Sequence, residues 1–298
     1  MSDLLFSVVI PAYNYAHTLR RAVESVLKQP GDDYELLVIN DGSPDETESL
    51  LVQLSAEYPG LFRYLTIENS GLAAVRNLGI DQTTGQYLIF LDADDAFCDD
   101  ALELLRGVVK NNPGLGMAAG GHVSVNDKGQ RAVDLPKIPD SLFERVKKYL
   151  LDKELSLSNG AVAIHRDIFL EYRYPEYLRN SEDISMFVHI LANYSVVAVD
   201  GYITYIHKHH DSLRHNADLF KEIGLSVVDE VFDASRLSGD IMSLKDRFVI
   251  QRLLSLSRKF YHAGDKEACR KFFCRALKHD WKVVFKWSYC WKFIKSLV

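Results

Sequence analysis

Asp92, Asp94 and Asp95 stand together at the end of the apolar run Gly85-Gln-Tyr-Leu-Ile-Phe-Leu91, separated only by Ala93. A short run of aromatic and aliphatic residues opened by a glycine reads as a buried strand. Such a strand delivers three acids at its tip. In an open α/β sheet the ligand crevice lies outside the carboxyl ends of the strands, so acids released there face a substrate. Clustered carboxylate oxygens are hard donors that suit Mg²⁺ or Mn²⁺, ions usually held together with substrate phosphates. The residues alone point to a divalent-metal site for a phosphorylated ligand. The competing reading is that Asp94 or Asp95 caps a helix that begins near Asp99 or Asp100.

The elements that must position this cluster alternate. Phe6-Ser-Val-Val-Ile-Pro-Ala-Tyr-Asn14 opens as a β-branched run suited to a strand buried on both faces, and helical spacing of apolar residues follows from His17 to Leu27. Tyr34 to Asn40 is a second strand with Asp41 and Gly42 at its tip. Ser43, Pro44 and Glu46 then spell a capping box for the next helix. Phe62 to Glu68 is a third strand, Asn69-Ser-Gly71 leads into a helix through Arg76, and the Gly85 run is the fourth strand. Four strand and helix alternations predict a doubly wound, mostly parallel sheet. Further on come a hairpin over Gly116 to Val125 with a turn at Asn126 to Gly129, and a helix from about Pro139 to Leu151. A strand over Asn159 to Arg166, a helix after Ser181 with Glu182 and Asp183 in its first turn, and a late strand from Ser195 to Ile206 complete this part. From about Leu213 onward only helical patterns remain, and Gly264 to Leu277 resembles half of a helix hairpin.

Composition narrows the classes. The 298 residues are 47% hydrophobic with a formal charge of −6, and no block of like charge suits nucleic acid. Cys98, Cys269, Cys274 and Cys290 lack metal-ligand spacing. The first turn, Pro11-Ala-Tyr-Asn-Tyr15, has no glycine, which excludes a P-loop or dinucleotide cradle there. No run is long enough to span a membrane, and the start shows no signal-peptide pattern, so a cytoplasmic protein is expected. The last twenty residues mix Trp281, Phe285, Trp287, Tyr289, Trp291 and Phe293 with Lys282, Lys286, Lys292 and Lys295. That pattern suits a helix at the inner face of the cytoplasmic membrane, and equally a helix packing its tryptophans on the main domain.

Taken together, Val8-Val-Ile-Pro-Ala-Tyr-Asn14, Ile39-Asn-Asp-Gly-Ser43, Asn69-Ser-Gly-Leu-Ala-Ala-Val-Arg-Asn77, Leu91-Asp-Ala-Asp-Asp95 and Ser181-Glu-Asp183 resemble the family 2 glycosyltransferases of GT-A fold. The resemblance covers roughly residues 1–215 and leaves residues 216–298 as a C-terminal helical region for membrane or partner contact. It implies inverting transfer of a sugar from a nucleotide diphosphate, usually UDP, with Mn²⁺ or Mg²⁺, to a glycan or lipid-linked acceptor in surface polysaccharide or lipopolysaccharide synthesis. By the same resemblance Pro11, Ala12, Tyr13 and Asn14 hold the base, and Asp41 accepts from the base edge, its other role being to cap the Gly42-Ser43 turn. Arg76 sits on the diphosphate or, failing that, in a surface ion pair. Asp92 and Ala93 meet the donor, Asp92 reaching the ribose or a metal-bound water, while Asp94 binds the metal and His209 completes the metal or diphosphate site. Asp183 matches the general base, and its place at the positive end of a helix is expected to keep it ionised. Glu182 and Asp183 could also be ordinary first-turn acids. Two rivals stand beside this reading: a sugar nucleotidyltransferase, which would want a glycine- and arginine-rich first loop, and a non-catalytic binding scaffold, against which the acids at 92, 94 and 183 speak.

Overall fold

The computed structural model describes residues 4–126, 129–178, 181–208 and 224–297. Strand β1 (Phe6–Ala12) is buried along its whole length and pairs in parallel with β2 (Tyr34–Asn40) and β4 (Tyr87–Phe90), while β3 (Arg63–Thr66) adds in parallel to β2. Helices α1 (Ala16–Leu27), α2 (Thr47–Glu57) and α3 (Leu72–Asp81) make the crossovers. This is the alternating half, and it is parallel throughout. Gly85 opens β4 because nothing larger fits: a Cβ there would lie 2.5 Å from the Phe6 carbonyl carbon.

Beyond β4 the sheet becomes mixed. A short β5 (Ala96–Phe97) and α4 (Ala101–Asn111) lead to β6 (Met117–Asn126), which forms a hairpin with β7 (Gly129–Ala132). Helix α5 (Leu142–Lys147) runs into a π turn, Lys148–Asp152, and a 3₁₀ turn, Asn159–Ala161, precedes β8 (Val162–His165). Then come α6 (Ile168–Glu171), α7 (Glu182–Asn193) and β9 (Val196–His207). The strand order is β3-β2-β1-β4-β8-β6-β9-β5 with β7 attached to β6. β8 is antiparallel to both neighbours, β9 runs parallel to β6 through a bulge near Gly121, and β5 closes antiparallel on β9.

Alternate residues of each strand serve two cores. Val8, Ile10, Val38 and Ile89 face α1 and α4, whereas Val9, Leu37, Ile39 and Phe90 face the side of α3 and α7. The second core continues into the C-terminal helices α8 (Ser226–Val231), α9 (Gly239–Met242), α10 (Lys245–His262) and α11 (Lys266–His279) through Val228, Leu253, Phe260 and Phe272. α10 and α11 form the expected helix hairpin, with Phe260 stacked on Phe272 at 5.4 Å and Asp265 capping α11 by accepting from the Ala268 amide at 2.9 Å. The final helix, α12 (Trp287–Leu297), packs on this hairpin by stacking Phe293 on Phe273 at 4.6 Å. Trp291 rests against Tyr261 at 6.5 Å but stays partly exposed, Trp287 is 75% exposed, and Trp281 and Phe285 before the helix are exposed as well. No helix among the described residues is long and apolar enough to cross a membrane.

One local expectation fails. No capping box forms at Ser43, because α2 starts at Thr47 and the preceding residues are used to tie two loops together. The Ser43 hydroxyl accepts from the Asn14 amide at 3.0 Å, and the Asp45 carboxylate accepts from the amides of Ala16 at 3.0 Å and Thr47 at 3.1 Å. Side chains of this type choose whichever backbone donor the fold brings nearest.

Candidate active site

The parallel register decides which strand tips share an edge. Ala12 lies beside Asn40, and Val9 beside Phe90, so Pro11 to Asn14, Asp41 and Asp92 to Asp95 emerge on the same side of the sheet. Pro11 and Ala12 are buried, whereas Tyr13 is exposed and Asn14 adopts a left-handed conformation (φ 62°) at the rim. Asparagine tolerates that region better than most residues. Asp41 is buried, and its carboxylate accepts from the Ser70 amide at 2.7 Å, the Gly71 amide at 3.0 Å and the Ser70 hydroxyl at 3.1 Å. It therefore caps the turn that opens α3 rather than the adjacent Gly42-Ser43 turn. Gly42 permits this approach: it has φ 66°, and a Cβ on it would lie 2.9 Å from the Asn69 amide nitrogen.

The acids after β4 form a compact group. One carboxylate oxygen from each of Asp92, Asp94 and Asp95 can be chosen so that all lie within 4.8 Å of one another. Their loop is held by the Thr18 hydroxyl donating to the Ala93 carbonyl at 2.9 Å and by Arg21 donating to the Asp94 carbonyl at 2.5 Å. Asp95 is buried and accepts from the His207 amide at 2.9 Å, which ties the cluster to the end of β9. Three hard oxygen donors at this spacing fit a divalent cation. The helix-capping alternative fails, since Asp100 precedes α4 and makes no side-chain cap. His209 lies outside the described residues.

Arg76 is not on the surface. It is 2% exposed, with Nη1 donating to Glu182 Oε1 at 2.7 Å, Nη2 donating to Asp92 Oδ1 at 3.3 Å, and the guanidinium 5.4 Å from the Tyr174 ring centre. Burial pulls its pKa down, but the Glu182 and Asp92 carboxylates outweigh that and leave it above the ordinary arginine value. One guanidinium thus joins the acid cluster to the first turn of α7. Glu182 was legible as a first-turn acid but not as this partner, and Tyr174 carried no sequence signal.

Asp183 follows Glu182 in the same turn. Burial pushes its carboxyl above the usual carboxylate range, opposed by the Arg76 guanidinium and the Ile184 amide. The charge of Asp92 pushes the same way as burial. Glu182 shifts up as well, first through burial and further through Asp183, against Arg76. Three groups that sequence reasoning missed feel the charge of Asp183, namely Tyr149, Lys153 and, from α10, Arg252. Arg252 donates from Nη2 to the Ser181 hydroxyl at 3.2 Å. No spacing rule connects residues this far apart along the chain.

The family model for glycosyl transferase family 2 matches residues 7–173. The chain belongs to that family. Among curated relatives, an uncharacterized glycosyltransferase of Rickettsia conorii is 29% identical over 200 residues, 67% of this chain and 32% of that protein. The chain therefore spans about a third of the length of this relative. The amylovoran biosynthesis glycosyltransferase AmsB of Erwinia amylovora is 29% identical over 188 residues, covering 61% of this glycosyltransferase-family chain and 62% of AmsB. In three dimensions the family member resembles residues 1–349 of S. aureus TarS bound to UDP-GlcNAc, with TM-score 0.67, 19% identity and coverage of 98% of this chain and 89% of that one. It also resembles the mannosyltransferase PcManGT of Pyrobaculum calidifontis bound to GDP-Man and Mn²⁺, with TM-score 0.58, 14% identity and coverage of 98% and 84%. The observed fold is the GT-A arrangement expected from the ordered motifs, with the C-terminal helices in place.

Proposed function

We propose that this chain is an inverting glycosyltransferase that moves a sugar from a nucleotide diphosphate, UDP first, to a hydroxyl of a glycan or lipid-linked acceptor in surface polysaccharide or lipopolysaccharide synthesis. The observation that carries the proposal is the chain of ion pairs Asp92–Arg76–Glu182, which sets the acid cluster at one end of α7's first turn and Asp183 within that turn. Relatives named for amylovoran synthesis and for glucosyl transfer from UDP-Glc to a diphosphoundecaprenol acceptor, and a UDP-GlcNAc complex of a similar fold, support the substrate class.

The residues divide the work by place. Pro11, Ala12, exposed Tyr13 and Asn14 offer a wall for the base, and Asp41 anchors the turn beneath it while keeping a carboxylate at the base edge. Asp92, Asp94 and Asp95 would hold Mn²⁺ or Mg²⁺, which when bound supplies positive charge against the departing diphosphate. Arg76 serves the same end by fixing Asp92 and adding a buried positive charge behind it. Asp183 takes the proton of the acceptor hydroxyl as its oxygen bonds to the anomeric carbon, and the bond to the diphosphate breaks with its electron pair leaving on the nucleotide. Attack on the face opposite the leaving group inverts the centre. A carboxyl raised by burial is the better base, since a higher pKa binds the proton more firmly.

Residues 1–215 act as the transferase unit and residues 216–298 as a helical appendage whose exposed Trp281, Phe285, Trp287 and Trp291, interleaved with Lys282, Lys286, Lys292 and Lys295, rest on an anionic membrane surface. The enzyme would then work at the inner face of the cytoplasmic membrane.

The direct test is slow hydrolysis of UDP-, GDP- and dTDP-sugars with Mn²⁺. One nucleotide sugar, expected to be a UDP-sugar, turns over and EDTA stops it. Asp94→Ala should lower the rate about a thousand-fold, the weight of several kcal/mol of charge stabilisation. Full turnover by that variant would sink the proposal.

A further inference from the structure

The motif that closes with Arg76 and Asn77 leaves Asn77 without a role, and the structure gives it one. Its side-chain amide pairs with the backbone of Tyr174 much as a neighbouring strand would. Nδ2 donates to the Tyr174 carbonyl at 2.9 Å, and Oδ1 accepts from the Tyr174 amide at 3.1 Å. Nδ2 also donates to Glu176 Oε1 at 3.0 Å. Arg173 fastens the same segment to α3, donating to the Asn77 carbonyl at 3.3 Å and pairing with Asp81 at 2.7 Å. Tyr174 lies outside helix and sheet, so its buried backbone groups take their partners from a side chain, and that side chain sits next to Arg76.

This clamp seats one aromatic ring. Tyr174 is buried, its hydroxyl donates to Asn159 Oδ1 at 3.1 Å, and its ring meets Phe90 edge-on at 5.5 Å and stacks with Phe169 at 6.0 Å. The Arg76 guanidinium lies over that ring, 5.4 Å from its centre. Arg76 needs such a wall. Its bond to Glu182 is the single contact of Nη1 with Oε1, and its reach to Asp92 is long at 3.3 Å. Arg76 Nε and Glu182 Oε2 are both buried without a hydrogen-bond partner among the described residues. Neither ion pair is therefore the two-bond fork that fixes a guanidinium in its plane, and single contacts leave it free to swing. A ring face carrying negative charge attracts the cation and stops that swing on the Tyr174 side.

We propose that Tyr174, seated by Asn77, is a positioning residue for the cation site. Its ring keeps the Arg76 guanidinium turned toward Asp92, and so keeps the Asp92 carboxylate where, with Asp94 and Asp95, it meets a divalent ion. The inference rests on the reading of those three acids as a metal site and adds a residue that acts on them from behind. Tyr174 works through Arg76 and needs no contact with donor or metal. Because ring and guanidinium are both buried, the attraction between them exceeds that of the same pair at a surface.

The test measures Mn²⁺ affinity of the full chain with equimolar UDP, read from the electron paramagnetic resonance signal of free Mn²⁺ and corrected by the same titration of UDP alone. Binding is then seen without turnover. Tyr174→Leu removes the ring and should weaken Mn²⁺ binding by about fivefold or more, while Tyr174→Phe, which keeps the ring without its hydroxyl, should hold the affinity within about twofold of the wild type. Replacing Tyr174 with pentafluorophenylalanine keeps the bulk of the ring and reverses the charge of its face, and should weaken Mn²⁺ by about threefold or more. Melting temperatures report whether each variant is folded, and the fluorinated protein carries the test should Tyr174→Leu fail to fold. Wild-type affinity in a folded Tyr174→Leu or in the fluorinated protein would overturn the proposal, and so would a Tyr174→Phe protein as weak as Tyr174→Leu. A wild type that binds UDP but no Mn²⁺ sinks the metal reading and this inference together, whereas silent substitutions in a wild type that binds Mn²⁺ sink this inference alone.

Discussion

Arg76 holds two carboxylates that could hardly differ more. The Asp92 side chain keeps 42% of its surface exposed at the tip of β4, whereas that of Glu182 keeps 4% at the base of α7. On the first side water remains to hydrate charge, so several acids can stand together ready for a cation. On the second side Glu182 is cut off from water and Asp183 is partly so, and the same chemistry turns into upward pKa shifts at both. The contrast teaches how one small region can host a cation-binding edge and a proton acceptor without either cancelling the other: solvent access separates their roles, and a single guanidinium keeps them in register.

The sharpest way to break that division is Asp183→Asn, which keeps shape and removes the proton acceptor. Sugar transfer should fall roughly 10²- to 10⁴-fold while UDP affinity stays put. Equal loss of both would assign Asp183 to the donor side instead. Next in size is the pair itself. Arg76→Met or Glu182→Leu alone strands a buried charge and should cost about 3–5 kcal/mol of unfolding free energy, whereas the double variant should recover much of it. Denaturant titrations that give additive losses would show that the two residues do not act as a unit.

A smaller effect reads the desolvation of Asp183. Its folded pKa is raised, so as pH falls it takes up its proton, and stops acting as a base, above the ordinary Asp value of about 3.9. The acid limb of kcat/KM should lie above that value. A limb at the ordinary carboxylate position would mean that the base is a hydrated acid, such as one of the β4 tip. The smallest expected change concerns the far end of the chain. Replacing Trp287 and Trp291 with Ser should weaken sedimentation with phosphatidylglycerol vesicles several-fold and leave donor hydrolysis untouched, because neither side chain enters the core. Undiminished vesicle binding would remove the membrane role.

The parallel half of the molecule was open to reading because each of its signals is local. Phe6 to Ala12 is apolar at every position but Ser7 and buried throughout, as a doubly covered strand must be, and Asp92 to Asp95 follow a strand whose end faces the crevice. The mixed half hid its order, since nothing local tells β8 to run antiparallel between β4 and β6. Capping at Ser43 misled for a related reason: the Asn14 amide, far away in sequence, claimed the hydroxyl first.

Residue types and their short-range spacing were enough to point to the family and the strand tips that bear acids, and to single out Asp41, Arg76 and Asp183 as candidates. They could not show that Arg76 would meet Glu182, 106 positions away. Nor could they show which way Asp183 would titrate. A pKa depends on how much water and which charges surround a group, and both are properties of the packed chain, absent until strands and helices have closed around it.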